Sequence, residues 1–265
     1  MRHNPDLIRT LLSVANALAD AARLRTLQHF RAPDLQVDDK GVRAFDPVTA
    51  ADRAAEEEMR RILAERRPED AVLGEEGGAT TGSSGLTWIL DPVDGTRGFL
   101  AGTPTWGVLI AVADANGPFI GLIDQPYIGE RFVGSPIGAT FTGPRGPARL
   151  RTRPPRPLPS ATLFTTYPEV GTAEEGAAFR RVASAARLTR YGMDCYAYAL
   201  VAAGHVDLVI EAALAPHDIA APIAVIEAAG GVVTDWSGGS AAGGGQVIAA
   251  ANPGIHREAL ALLAG

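Results

Sequence analysis

The chain has 265 residues with a formal net charge of −6, and this length is sufficient for a full hydrophobic core. The net negative charge argues against a nucleic-acid partner, and no apolar stretch is long enough to predict a membrane span. The single cysteine, Cys195, excludes an internal disulfide and is predicted to be a small buried residue.

Helices and strands alternate in the first half of the chain. Apolar residues at helical spacing predict helices over 5–30 and 50–66, and Thr49 with Asp52 resembles a capping box at the start of the second. The first helix contains acids and is followed by no cleavage pattern, so we expect no signal peptide and a cytoplasmic protein. Strands are predicted at 71–78, 87–91, 105–114 and 118–126, and in shorter pieces over 130–150. This half therefore predicts helices packed against an antiparallel sheet.

A proline-dense stretch at 151–160, RTRPPRPLPS, predicts a domain boundary, because proline cannot extend a helix or an interior strand. We expect an N-terminal α+β domain over 1–150 and a C-terminal α/β domain over 151–265. In the second half, strands are predicted at 161–166, 205–214, 232–236 and 246–251, and helices at 172–186, 191–204 and 218–231.

The stretch WILDPVDGTRGF, residues 88–99, places Asp91 and Asp94 directly behind an apolar strand pattern. Two carboxylates so close in the chain repel each other unless a cation lies between them, and Mg²⁺ prefers such oxygen ligands. Four more acids lie at or beside the ends of predicted elements: Asp52, Glu75, Glu76 and Asp218. If three or four of these carboxylates converge, they form a site for two or three Mg²⁺ ions that share the phosphate oxygens of a substrate.

Most of these residues also have a structural interpretation. Asp52 and Asp218 are suited to cap helices, and Glu75 with Glu76 is suited to a solvated turn before two glycines. His217, beside Asp218, is more often a structural residue than a ligand. An ordinary turn does not need the second aspartate of DPVDGT, however, so this motif favours the cation site.

The residues after Asp94 predict a place for an anion. Gly95, Thr96 and Arg97 are predicted to begin a short helix that Gly102 ends. Unpaired N–H groups at such a start attract anions, and glycine permits close approach. The motif therefore predicts that the aspartates hold metal and that the following turn holds phosphate.

Three motifs together resemble the inositol-monophosphatase-like, metal-dependent phosphatases of the fructose-bisphosphatase fold: GEE at 74–76, DPVDGT at 91–96 and HDIAAPIAVIEAAGGVVTDWSGG at 217–239. The resemblance covers essentially the whole chain and implies an α/β (α+β) fold, arranged as a layered α/β/α/β sandwich. Four further segments, at 45–60, 87–111, 123–132 and 191–212, resemble the histidinol-phosphatase branch of this family.

The resemblance also implies a role for individual residues. The implied metal ligands are Glu75, Asp91, the Val93 carbonyl, Asp94 and Asp218, with Asp91 bridging two ions. The implied catalytic residues are Thr96, Asp52 and Glu75, and a hydrogen bond from Thr96 to Asp52 would orient or deprotonate the attacking water. The implied substrate-binding residues are the amides of Gly95 and Thr96, and also Lys40, Gly192, Asp194 and Glu211.

Asp194 and Glu211 would make the leaving-group side of the pocket negative, which suits a substrate with an ammonium group. The resemblance thus implies Mg²⁺-dependent hydrolysis of L-histidinol phosphate in histidine biosynthesis, by a homodimer. Two alternatives stay open. The substrate could be inositol monophosphate or another small phosphomonoester, or the chain could be a non-catalytic protein that binds metal or phosphate on the same fold.

Overall fold

The computed structural model describes residues 4–33, 35, 37–39 and 47–265, and the elements below belong to these residues. The helices are α1 Pro5–His29, α2 Ala50–Arg66, α3 Thr96–Leu100, α4 Ala173–Ala185, α5 Asp194–Ala202, α6 Pro216–Ala228 and α7 Pro253–Ala264. The strands are β1 Val37–Asp39, β2 Pro47–Thr49, β3 Ala71–Gly74, β4 Gly78–Thr80, β5 Thr87–Asp94, β6 Gly107–Asp114, β7 Gly117–Gln125, β8 Glu130–Ser135, β9 Gly138–Gly143, β10 Gly146–Arg149, β11 Thr162–Thr165, β12 Leu188–Tyr191, β13 Leu208–Leu214, β14 Val232–Thr234 and β15 Gly245–Ala250.

Two large sheets organise these strands. The first has eight strands in the order β10-β9-β8-β7-β6-β5-β3-β4, and the second has five in the order β12-β11-β13-β15-β14. The first sheet is antiparallel as predicted, except that β3 and β5 are parallel. In the second sheet β11 runs parallel to both of its neighbours. β1 and β2 form a separate antiparallel pair.

The helices cover both faces of each sheet. Trp88 and Leu90 of β5 pack with α1 and α2 on one face of the first sheet, and Ile89 packs with α5 and α6 on the other. This alternation follows from the two-residue repeat of a strand. The helices α5 and α6 lie between the sheets, and α4 and α7 cover the outer face of the second. The predicted layered α/β sandwich is therefore confirmed, with α4 and α7 as a further helical layer.

Helix α6 approaches the first sheet closely because two strand residues beneath it are glycines. A Cβ atom built on Gly121 would lie 2.2 Å from the Ala221 carbonyl oxygen, and one on Gly134 would lie 2.4 Å from the Ala224 carbonyl oxygen. Real side chains do not fit at such distances. The two glycines therefore fix the position of α6 and of the loop that precedes it.

The short strands β1, β2, β4 and β12 were not predicted, and two helices also differ from the sequence-based elements. Residues 191–204 were predicted as one helix, but Tyr191 ends strand β12, and Gly192 adopts a left-handed φ of 74° before α5 begins at Asp194. Helix α7 was not predicted, although Asn252 caps it by accepting from the amides of Gly254 and Ile255.

The sheets change at the predicted domain boundary, since the first sheet ends with β10 and the second begins with β11. One hydrophobic cluster nevertheless contains residues from both sides of this boundary, among them Ile123, Phe132, Val209 and Ile219. The division at residue 150 stays a prediction. Among the described residues, none of the helices combines the length and hydrophobicity that crossing a membrane requires.

We expect Gly121→Ala to destabilise the protein by about 1–3 kcal/mol, because the added methyl group forces α6 away from the sheet. The free energy of unfolding, measured in urea, checks this expectation. The matched control is Gly243→Ala, where no atom lies within 4 Å of the added methyl and stability should not change. Equal stability of the Gly121 variant and the native protein would contradict the packing argument.

Candidate active site

A β-bulge in β5 places Asp91 and Asp94 on the same side of the sheet. Asp91 lies opposite Leu109 of β6, whereas Asp94 lies opposite Gly107, so β5 contains one extra residue over this interval. In a regular strand, residues three apart point to opposite faces, and the extra residue removes that difference. Pro92 suits the bulge because it has no N–H to contribute to the ladder. The Val93 amide donates to Asp91 Oδ1 at 3.0 Å and holds the local turn.

Glu75 is positioned by a buried carboxylate on helix α2. The Glu56 side chain, 2 % exposed, accepts from the amides of Glu76 at 2.7 Å and Gly77 at 2.8 Å. A Cβ atom at Gly74 or Gly77 would lie within 3 Å of the Glu56 carboxylate, so both glycines allow the approach. Glu56 therefore ties the loop that carries Glu75 to α2.

The second half of the chain contributes the remaining acids. Asp218 is the third residue of α6 and accepts from the Ala215 amide at 2.7 Å. This hydrogen bond caps the start of the helix. At the start of α5, the Cys195 amide donates to Asp94 Oδ2 at 2.6 Å. Cys195 is buried as predicted. The two halves of the chain thus meet at Asp94.

Two groups of side chains are close enough to hold metal ions. One oxygen each from Asp91, Asp94 and Asp218 lie within 4.8 Å of one another, and an oxygen of Glu75, an oxygen of Asp91 and a ring nitrogen of His217 do the same. Asp91 belongs to both groups. Carboxylate oxygens at this spacing fit divalent cations, and a residue common to two groups suits the bridging role that the resemblance implies for Asp91.

The electrostatics of the site agree with this donor set. Burial, followed by repulsion from Glu75 and Asp94, raises the pKa of Asp91 well above its usual range. Burial and then Asp218 raise the pKa of Asp94 in the same way, and burial also raises the pKa of Asp218. Carboxylates held together against such repulsion bind a cation strongly, because the cation offsets both the burial and the repulsion.

The predicted hydrogen bond between Thr96 and Asp52 does not form. Asp52 Oδ2 accepts from the amide and hydroxyl of Thr49 at 3.0 and 2.5 Å, which is the capping box of α2. The Thr96 hydroxyl instead donates to the Val93 carbonyl at 3.2 Å. Asp52 Oδ1 is left buried with no hydrogen-bond partner among the residues that the structure describes. Burial raises the pKa of Asp52 to about 6.

The acids border a cavity of about 690 Å³, which residues of both halves line. Two further acids line the cavity outside the candidate ligand groups. Asp194 accepts from the Thr105 hydroxyl at 3.1 Å, and burial raises its pKa. Glu211 accepts from the amide and hydroxyl of Thr166, and burial raises its pKa to about 7. These two acids add negative charge to the cavity.

An exposed contact crosses the rim of this cavity. The Arg97 guanidinium, next to the DPVDGT motif, donates to the Tyr167 hydroxyl at 2.9 Å. Arg97 belongs to α3, beside the first sheet, whereas Tyr167 follows β11 of the second. An exposed hydrogen bond between side chains therefore joins the two halves of the chain at the rim.

Most of the predicted site residues line the cavity. Its lining includes Glu75, Asp91, Val93, Asp94, Gly95, Thr96, Asp194, Glu211 and Asp218. Gly192 is not one of the described residues that line the cavity. It lies in an exposed turn, where its amide donates to the Thr165 and Thr166 carbonyls. Asp52 lies behind the lining, and Lys40 lies outside the described residues.

Three residues with a part in the site were missed or discounted from the sequence. The sequence around Glu56 contains no motif that indicates its role, because that role depends on contacts with a loop about 20 residues away. Tyr167 lies in a loop without a motif. His217 was interpreted as structural, although its position beside Asp218 at a helix start was visible in the sequence.

Comparison with known proteins gives a consistent result. The sequence profile of the inositol monophosphatase family matches residues 7–264. The bifunctional phosphatase IMPL2, chloroplastic, of Arabidopsis thaliana is 40 % identical over 259 residues, which cover 94 % of this chain and 73 % of that protein. The histidinol-phosphatase of Mycobacterium tuberculosis is 37 % identical over 258 residues, which cover 95 % of this chain and 97 % of that protein.

A solved structure of an inositol monophosphatase from Zymomonas mobilis superimposes with a TM-score of 0.86 at 36 % identity, covering 99 % of this chain and 100 % of that one. The profile, the relatives and the fold agree with the resemblance that the motifs carry. The chain therefore belongs to the inositol monophosphatase family of phosphatases, and its resemblance to the histidinol-phosphatase branch of that family is confirmed.

Proposed function

We propose that this protein is a Mg²⁺-dependent phosphomonoesterase whose preferred substrate is L-histidinol phosphate. The observation that carries the proposal is the distribution of acids around one cavity. Glu75, Asp91, Asp94 and Asp218 belong to the two candidate ligand groups and form the metal-binding side, whereas Asp194 and Glu211 line the same cavity outside these groups. A substrate with a phosphate group for the first set of acids and an ammonium group for the second fits this distribution.

The metal-binding side supplies the hydrolytic chemistry. Glu75, Asp91, Asp94, Asp218 and the Val93 carbonyl would hold the cations, which when bound lower the pKa of a water molecule and neutralise phosphate charge. The amides of Gly95 and Thr96 would orient the phosphate at the start of α3. No protein nucleophile is needed, so the buried Cys195 takes no part in this scheme.

We assign orientation of the attacking water to the Thr96 hydroxyl and uptake of the water's proton to the Glu75 carboxylate, since both residues line the cavity. Asp52 supports this role from behind the lining, because its buried carboxylate acts electrostatically on Glu75 and nearby negative charge favours uptake of a proton.

The proposed substrate preference depends on the two acids outside the ligand groups, Asp194 and Glu211. An inositol offers only neutral hydroxyl groups to Asp194 and Glu211, whereas an ammonium group pairs with their charge and favours their ionised forms. This difference supports histidinol phosphate over inositol phosphate, although the family includes enzymes named for each. A cytoplasmic homodimer that acts in histidine biosynthesis is part of the proposal and is supported by family membership.

The proposal is tested by phosphate release with Mg²⁺ and with EDTA, across histidinol phosphate, inositol 1-phosphate, fructose 1,6-bisphosphate and p-nitrophenyl phosphate. We expect Mg²⁺-dependent turnover with kcat/KM highest for histidinol phosphate. Asp91→Asn should abolish turnover because it removes the shared ligand, while circular dichroism shows a folded protein.

Each other outcome of this experiment has a definite meaning. A higher kcat/KM for inositol 1-phosphate would agree with the proposed metal-dependent hydrolysis but would reject histidinol phosphate as the preferred substrate. Absence of turnover on every ester, by a folded native protein, would leave only a metal- or phosphate-binding role. Undiminished turnover in EDTA would reject the metal dependence.

The role of Asp194 is tested by Asp194→Asn. Asparagine tolerates the left-handed backbone at this position, where φ is 46°, and can still accept from Thr105. We expect kcat/KM for histidinol phosphate to fall more than about tenfold, equivalent to ~1.4 kcal/mol, and kcat/KM for p-nitrophenyl phosphate to stay nearly constant. Glu174→Gln, an exposed change of the same charge on α4, controls for the net charge of the protein. An equal loss for both substrates would contradict an ammonium contact.

The raised pKa values predict how pH affects the stability of metal-free protein. An acid whose pKa is higher in the folded state stabilises the fold at low pH, and this stabilisation is lost as pH rises through the folded pKa. For Asp52 and Glu211 the folded values are about 6 and about 7, against usual values of 3.8 and 4.5. In EDTA, stability should therefore fall between about pH 4 and pH 7, by on the order of 1–3 kcal/mol per buried acid.

Melting curves from pH 4 to pH 8, in EDTA and in Mg²⁺, measure this effect. The cation should raise the Tm most at pH 8, because it offsets the repulsion that ionisation creates. His256 acts in the opposite direction because burial lowers its pKa, but its contribution is common to both curves and cancels in their difference. A Mg²⁺ effect that is constant across this range would show that the raised pKa values do not govern metal binding.

A further inference from the structure

His217 lies against two of the carboxylates that form the metal-binding side of the cavity. One of its ring nitrogens lies within 4.8 Å of an oxygen of Glu75 and an oxygen of Asp91. The residue is the second of helix α6, and its side chain is 20 % exposed, at the cavity lining. Because the glycines beneath α6 fix this helix on the sheet, the imidazole is held at the Glu75 end of the site.

A purely structural role leaves the ring of His217 poorly explained. Its contact with Asp218 Oδ1 is 3.5 Å long, and Asp218 already accepts from the Ala215 amide. A histidine that only packs would be expected to give a ring nitrogen to a shorter hydrogen bond. With respect to the residues that the structure describes, the ring nitrogens therefore remain available for another partner.

The two groups of candidate ligands differ in chemistry. Asp91, Asp94 and Asp218 offer oxygen alone, whereas Glu75, Asp91 and His217 offer two oxygens and an imidazole nitrogen. Carboxylates alone suit Mg²⁺, and an imidazole nitrogen favours first-row transition-metal ions. Asp52 Oδ1, buried and without a hydrogen-bond partner in the described part of the chain, adds negative charge that couples to Glu75 at this end.

We propose that His217 is a nitrogen ligand that binds one divalent cation together with Glu75 and Asp91, so that this position prefers Mn²⁺ or Zn²⁺ to Mg²⁺. The inference rests on the proposed function, since it assumes that the acidic site holds metal. It assigns different ion preferences to the two groups that share Asp91. The all-oxygen group keeps its preference for hard cations.

The test is pulsed electron paramagnetic resonance of the full chain loaded with one equivalent of Mn²⁺. A nitrogen ligand produces a ¹⁴N modulation of the Mn²⁺ signal, and labelling with ¹⁵N-histidine should change that modulation. We expect the modulation in the native protein, its loss in His217→Gln, and its retention in His205→Gln, where the histidine is exposed and outside this cavity.

Titration calorimetry gives the second readout. His217→Gln should weaken Mn²⁺ binding by about 10–100-fold, with a much smaller effect on Mg²⁺. Absence of ¹⁴N modulation in the native protein overturns the inference, as does an equal effect of the substitution on both ions. The spectrum of the native protein decides the matter even if the glutamine variant does not fold.

The failure of this inference is distinguishable from failure of the proposed function. Mg²⁺-dependent phosphatase activity without ¹⁴N modulation rejects the histidine ligand alone. A histidine-ligated Mn²⁺ in a protein that hydrolyses no phosphate ester rejects the catalytic proposal and keeps the ligand. A native protein that binds neither ion rejects both.

Discussion

The mutual repulsion of buried carboxylates is the constraint on which the rest of this structure depends. Asp91, Asp94 and Asp218 are brought together in one cavity, where burial raises the pKa of all three and repulsion between carboxylates raises it further for Asp91 and Asp94. Such a cluster exists only if the surrounding packing holds it in place. The bulge in β5, the Glu56 hydrogen bonds and the glycine contacts beneath α6 all provide that restraint.

The two halves of the chain have different tasks at the cavity. The first sheet supplies the bulged strand and the Glu75 loop, whereas the second half supplies α6 with Asp218 and the acids Asp194 and Glu211. The hydrogen bond from the Cys195 amide to Asp94 joins the two sets. Because Asp194 directly precedes Cys195, a shift on the substrate side would also disturb a metal ligand.

Much of this arrangement could be predicted from local patterns. Strand periodicity predicted β5, and the DPVDGT motif predicted that candidate metal ligands begin at Asp91. Both signals could be identified because they lie within one short stretch. Contacts between distant residues could not be predicted in this way. The capping box of Thr49 and Asp52 is local and was predicted, whereas the bond from Thr96 to Asp52 spans 44 residues and does not form. The hydrogen bonds of Glu56 to the Glu75 loop are also non-local and were not predicted. Helix α7 was not predicted, although Asn252 followed by Pro253 is a sequence typical of a helix start.

The rim contact between Arg97 and Tyr167 differs in kind from the restraints around the metal side. It is an exposed pair of long side chains, whereas α6 is wedged against strand backbone. Surface side chains can be substituted at little cost in stability. The glycines beneath α6 cannot, because a Cβ atom on Gly121 or Gly134 would lie 2.2 or 2.4 Å from a carbonyl oxygen of the helix. The rim is therefore the part of the cavity that can change with least disturbance to the metal-binding side, and it is the first place to redesign for a different phosphate ester.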